Sequence, residues 1–154
     1  MSWPAASGVH AAPLAELDAA TLYALLRLRV DVFVVEQDCA YPELDGRDTE
    51  PGALQLWVPA LDGSIAATAR LLREADGRVR IGRVATAAAH RGAGLAGRLL
   101  RRALELAGDA EVVLDAQARL EGWYARFGFA ASGPPFVEDG IPHVPMRRPA
   151  TAPA

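Results

Sequence analysis

Residues 91–96 read Arg91-Gly92-Ala93-Gly94-Leu95-Ala96, and they join an apolar run ending in Val84-Ala85-Thr86 to a segment with helical periodicity. A strand, a glycine turn and a helix in that order expose several backbone N–H groups at the positive end of a helix dipole. Such a turn is an anion cradle, because glycine lets a phosphate approach the backbone and Arg91 adds a fixed charge with two-pronged geometry. The loop suits a pyrophosphate. It lacks the Gly-Lys-Ser/Thr ending of a nucleoside-triphosphate loop, and its glycine spacing departs from the dinucleotide fingerprint. An ordinary strand-to-helix turn of small residues has the same composition, so the loop by itself leaves both readings open.

Upstream of it, Leu54 to Ala60, Ile65 to Leu72 and Val79 to Thr86 read as strands, with turns at Asp62-Gly63 and Asp76-Gly77. Short connections make them an antiparallel meander. Earlier still, Leu22, Leu25, Leu26, Arg29, Val32 and Phe33 follow helical spacing after the N-cap Asp18, and only Arg29 breaks the apolar face. Between that helix and the meander, Glu36, Asp38, Glu43, Asp45, Asp48 and Glu50 outnumber Arg47, which reads as an acidic loop able to attract positive charge.

Downstream, Leu95, Leu99, Leu100, Ala103, Leu104 and Ala107 line one side of a helix that Gly108 ends. Val112-Val113-Leu114 reads as a buried strand, and a short helix from about Leu120 to Phe127 stops at Gly128. Pro134, Pro135, Pro142 and Pro145 limit the stretch from Phe129 to Arg148 to short strands, and residues 149–154 read as frayed. The expected architecture is one domain over 1–154, with its core at about 9–148. It is a mixed α/β fold in which helices pack against a single, mostly antiparallel sheet.

The composition narrows the function. At 154 residues the chain can bury a core without disulfides or a structural metal. A net charge of −3 with dispersed arginines shows no nucleic-acid footprint. No apolar run approaches the ~18 residues of a membrane span, and Met1-Ser2-Trp3-Pro4 does not resemble a secretory signal, so a cytoplasmic protein is expected. Three histidines and the lone Cys39 give no metal-ligand spacing, and Cys39 is assigned no catalytic role. All sixteen basic residues are arginine, so no lysine is available as a base or Schiff-base former.

Arg91, Gly94 and Ala96 match the Gln/Arg-x-x-Gly-x-Gly/Ala signature of the GNAT superfamily of acetyl-coenzyme A-dependent N-acetyltransferases, which the sequence resembles. Tyr124-Ala125-Arg126-Phe127-Gly128-Phe129 is similar to that family's Tyr-x-x-x-Gly-Phe. Leu22 to Gln37, with Asp139-Gly140-Ile141-Pro142-His143, resembles its ElaA-type branch.

The resemblance implies a GNAT acyl-CoA N-acyltransferase fold. It also implies acetyl-CoA as co-substrate and direct attack by a primary amine, on a small molecule or a peptide. Coenzyme contacts would come from Val84, Ala85, Thr86, Arg91, Gly92, Ala93, Gly94, Leu95, Ala96, Gln117 and Tyr124. A backbone N–H of the strand near Val84 would meet charge on the thioester oxygen, and Tyr124 would be the acid for the departing thiolate. Many relatives are dimers, which leaves a homodimer open.

Some relatives carry a carboxylate on the strand before the loop, and Ile81-Gly82-Arg83-Val84-Ala85-Thr86 has none. Glu36 is then the first candidate for the base and His143, whose unperturbed pKa lies near neutrality, the second. Asp115 or a water chain also stays open. Two further readings remain: a non-catalytic acetyl-CoA sensor, and an acyl-homoserine-lactone synthase-like enzyme suggested by Arg29-x3-Phe33.

Overall fold

The structure, a computed structural model, describes residues 8–151. The expected meander is present as β2 (Leu54–Pro59), β3 (Ile65–Arg73) and β4 (Val79–Thr86), after a short edge strand β1 (His10–Ala12) that the sequence did not signal. Gly63 and Gly77 turn the two hairpins at φ of 87° and 92°, values open to glycine at no steric cost. Then follow α2 (Leu95–Ala107), β5 (Val112–Gln117), α3 (Glu121–Ala125), β6 (Ala130–Ala131), β7 (Phe136–Glu138) and β8 (Ile141–Arg148). All eight strands join one sheet in the order β1-β2-β3-β4-β5-β8-β6, with β7 also on β8. Every pairing is antiparallel except β4 with β5.

β3 is buried along nearly its whole length because helices cover both faces of the meander. On one face α2 sets Leu99, Leu100 and Ala103 against Leu56, Leu71 and Ile81. On the other, α1 (Ala19–Val30) sets Leu25 and Leu28 against Ile65 and Ala85. Asp18 caps α1 as expected, its carboxylate accepting from the Thr21 N–H at 2.7 Å.

Three expectations are corrected. The first helix does not end at Phe33: its α-helical part stops at Val30 and a π-helical turn carries the chain on from Asp31 to Glu36. The second concerns β8, which runs eight residues despite Pro142 and Pro145. In the register of Gln117 with His143, the missing N–H of Pro142 faces the chain just beyond the end of β5. That of Pro145 faces the gap between β6 and β7, so neither removes a ladder bond. Third, the tail is not frayed at Thr151, whose N–H and hydroxyl donate to Asp109 at 3.1 and 2.7 Å; residues 152–154 lie outside the described residues.

The acidic loop is corrected in character. Arg29 is fully buried, donating from Nε to Glu43 at 2.6 Å and from Nη1 to Asp48 at 2.7 Å. Arg70 grips Asp45 through two bonds of 2.8 and 3.0 Å, and Arg47 pairs with Glu50 at 3.0 Å. An apparent flaw in the apolar stripe of α1 is therefore the anchor of the following loop. With these carboxylates neutralised, the loop is not a free negative field for a cationic substrate.

Candidate active site

β4 and β5 pair only at Val79 with Val112 and Arg80 with Val113. Beyond those two positions the strands diverge, and a cleft opens between Gly82–Thr86 and Leu114–Gln117. The β5-facing edge of β4 is thus left without a strand partner, a template on which an extended chain can add. Divergence is sharpened by a bulge, because pairing jumps from Arg70–Gly82 to Thr68–Ala85 and Arg83 takes a φ of 52°.

The glycine loop closes the mouth of this cleft. Gly92 and Gly94 have φ of 85° and 76°, so backbone conformation alone demands glycine there. A Cβ at either position would meet nothing within 4 Å. The first turn of α2 holds no acidic residue and Gly94 receives no side-chain cap, which leaves the dipole's positive end uncompensated. Arg91 is otherwise engaged. Its Nη1 and Nη2 donate to Glu36 at 2.8 and 2.6 Å, and its Nε donates to the Thr86 carbonyl at 3.1 Å. Through Arg91 the Glu36 carboxyl is held below its ordinary pKa, a poor setting for a base.

Tyr124 projects from α3 into the cleft, packed edge-on against Trp123 and Phe129 at 4.9 and 6.0 Å between ring centres. Burial pushes its hydroxyl up to about 12, so it stays protonated at neutral pH. His143 enters from β8 directly opposite Gln117 of β5. Its Nδ1 lies 2.7 Å from the Ile141 carbonyl, which can only accept, and the ring stacks on Phe136. In the neutral ring Nδ1 therefore carries the proton and Nε2 is the basic nitrogen.

Of the residues singled out from the sequence, Glu36, Val84, Ala85, Thr86, Arg91, Gly92, Gly94, Leu95, Ala96, Gln117, Tyr124 and His143 all line this one cleft; Ala93 does not. Asp115 lines it too, with a carboxylate oxygen 3.5 Å from Arg80. Sequence reading missed Gln37, Tyr41 and Arg83. For Arg83 a signal existed, since a lone glycine inside a strand, here Gly82, marks a bulge. Cys39 is buried, donates to the Asp139 carbonyl at 3.3 Å, and has its thiol pKa raised by burial and by the carboxylates of Asp139 and Asp38, consistent with no catalytic role. Among the described residues, no helix is long and apolar enough to cross a membrane, and no cluster of His, Cys, Asp and Glu has the makings of a metal site.

A parallel strand pair that splays beyond its first two pairings, with an uncapped glycine loop at the opening, is the candidate site of this chain. The chain belongs to the GNAT acetyltransferase family, whose domain model matches residues 29–149. A UPF0039 protein of Mycobacterium tuberculosis is 50% identical over 137 residues, 87% of this chain and 88% of that one. Among solved structures, an acyl-CoA N-acyltransferase from Pseudomonas aeruginosa is 44% identical with a TM-score of 0.86, covering 91% of this chain and 97% of its own. Escherichia coli ElaA is 38% identical with a TM-score of 0.85 and the same coverage. Proteins of this fold use acyl-CoA co-substrates, and GNAT acetyltransferases act on amine acceptors.

Proposed function

We propose that this protein transfers the acetyl group of acetyl-CoA to a primary amine by direct attack. The observation that carries the reading is the opening between β4 and β5, which Tyr124 and His143 both line. The coenzyme's pyrophosphate takes the amides of the Gly92–Ala96 turn, and its pantetheine arm adds as a strand along Val84, Ala85 and Thr86. The Val84 N–H receives the thioester oxygen as charge builds on it.

The acceptor nitrogen forms a bond to the carbonyl carbon, the C–S bond breaks, and the sulfur leaves with the electron pair. The proton lost by the amine goes to His143 Nε2 and on to solvent. His143 suits this role better than Glu36, whose carboxylate is already committed to Arg91. Tyr124 keeps its own proton. A thiol has an ordinary pKa of about 8.5, so complete transfer from a phenol near 12 is uphill. The hydroxyl instead donates a hydrogen bond to the leaving sulfur, and the thiolate is protonated in water.

The test is release of free thiol from acetyl-CoA across a panel of amines, polyamines, amino acids and peptide N-termini, with the acetylated product identified by mass. Tight acetyl-CoA binding with no thiol release for any acceptor would overturn the proposal in favour of a sensor.

A further inference from the structure

The β4 bulge is held from outside the strand. Arg83 adopts the left-handed backbone region, which L side chains avoid, although glycine would take it freely. Its side chain supplies the reason. Nη2 donates to the Glu43 carbonyl at 3.1 Å and to Asp45 at 3.2 Å, Nε lies 2.9 Å from a Glu43 carboxylate oxygen, and the guanidinium sits over the Tyr41 ring at 5.5 Å.

Glu43 is itself immobilised from behind. It is 4% exposed, accepts from the fully buried Arg29 of α1 at 2.6 Å, and accepts from the Tyr41 hydroxyl. One buried carboxylate thus ties α1, packed on a face of the meander, to the bulge in β4. Arg83 and Val84 are the two residues freed from pairing with β3, so the sheet ladder does not fix them, and the brace holds Arg83 directly.

We infer that Arg83 is a positioning residue: braced by Glu43 and Asp45, it fixes the bulge that aims the Val84 N–H at the acyl carbonyl. The inference rests on the acetyl-transfer reading above. It differs from a purely structural role in one testable respect. Arg83→Gly relieves the backbone strain while removing the brace, so the fold is preserved as the aim is lost.

The experiment compares wild type, Arg83→Gly and Arg83→Lys. For Arg83→Gly the expected result is a melting temperature near wild type, an acetyl-CoA Kd within about twofold, and a kcat lowered at least tenfold. Nitrogen-15 order parameters at Val84 and Ala85 should fall in the same variant. Arg83→Lys, able to reach Asp45 with a single charged group, should recover part of the kcat. Unchanged kcat in Arg83→Gly overturns the inference, as does a loss of folded protein with full turnover in the fraction that remains. If wild type acetylates no amine, the proposed function fails separately; the order parameters then decide alone, and no change in them overturns the brace.

Discussion

Glu36 and Arg91 meet in a two-point ion pair of 2.6 and 2.8 Å that fastens the π-helical end of α1 to the start of the glycine loop. Both side chains are close to half exposed, so the pair is weak, on the order of 0.5 kcal/mol. It nonetheless occupies the guanidinium that a coenzyme phosphate would seek. Glu36→Gln should therefore tighten acetyl-CoA binding about twofold, by titration calorimetry, and leave kcat within about twofold of wild type. A loss of 100-fold or more in kcat would instead make Glu36 the base.

Arg29 cannot be removed so cheaply. From a fully buried position it neutralises Glu43 and Asp48, themselves buried, and stripping one partner from such a cluster leaves unpaired charge behind, a cost of about 3–5 kcal/mol. Arg29→Met should show this as a lowered denaturation midpoint in urea. The same cluster sets the acid limit. Burial alone would raise Asp45 and Asp48, but hydrogen bonds from Arg70 to Asp45 and from Arg29 to Asp48 outweigh it and hold both below the ordinary range. A carboxyl depressed in the fold contributes stability that is complete above its unfolded pKa, about 3.9, and is lost as pH falls through the folded value. Wild type should accordingly lose stability below about pH 4, with a shallower loss in Arg29→Met, measured by urea titration across pH.

That cluster also marks where sequence reading stopped. Turns at Gly63 and Gly77 and the stripe of α2 are local patterns, written within a few residues, and the structure follows them. Arg29 and Glu43 are fourteen residues apart, and Arg70 and Asp45 twenty-five, so no periodicity links them. An arginine in an apolar stripe and a run of acids therefore read as two separate oddities, when each is the other's partner. β8 escaped for a related reason. The penalty of a proline depends on whether its missing N–H faces a strand, which only the register decides. In the candidate cleft, the glycine loop and Tyr124 could be singled out from sequence because their motifs are contiguous, whereas the engagement of Glu36 by Arg91 spans fifty-five residues.

Gly94 and Gly63 offer a matched comparison. Both have positive φ, 76° and 87°, and a Cβ on either meets nothing within 4 Å. Alanine at each position should cost about 1–2 kcal/mol of backbone strain, a fall of roughly 2–8 °C in melting temperature. Only Gly94 lies at the cleft. Gly94→Ala should raise the acetyl-CoA Kd at least tenfold while Gly63→Ala leaves it unchanged, and equal affinities in the two variants would remove the loop from the binding site.

Tyr124 gives the sharpest separation of stability from chemistry. Its pKa of about 12 in the fold, against about 10 in an unfolded chain, comes from burial. The folded state keeps the proton longer, so the group's contribution is complete below pH 10 and is lost as pH rises through 12. That amounts to at most about 2.7 kcal/mol. The chain has no lysine to titrate in that window, and Tyr41 is held protonated to still higher pH by burial and by its hydrogen bond to Glu43. Tyr124→Phe should flatten the alkaline limb of a stability profile without lowering stability at neutral pH. In turnover the same variant loses one hydrogen bond to a sulfur gaining charge, worth about 1.5–3 kcal/mol, which predicts a kcat reduced about 10- to 100-fold with acetyl-CoA affinity intact. A Phe variant with full kcat but a flattened alkaline limb would make Tyr124 a core aromatic and shift stabilisation of the thiolate to another group in the cleft.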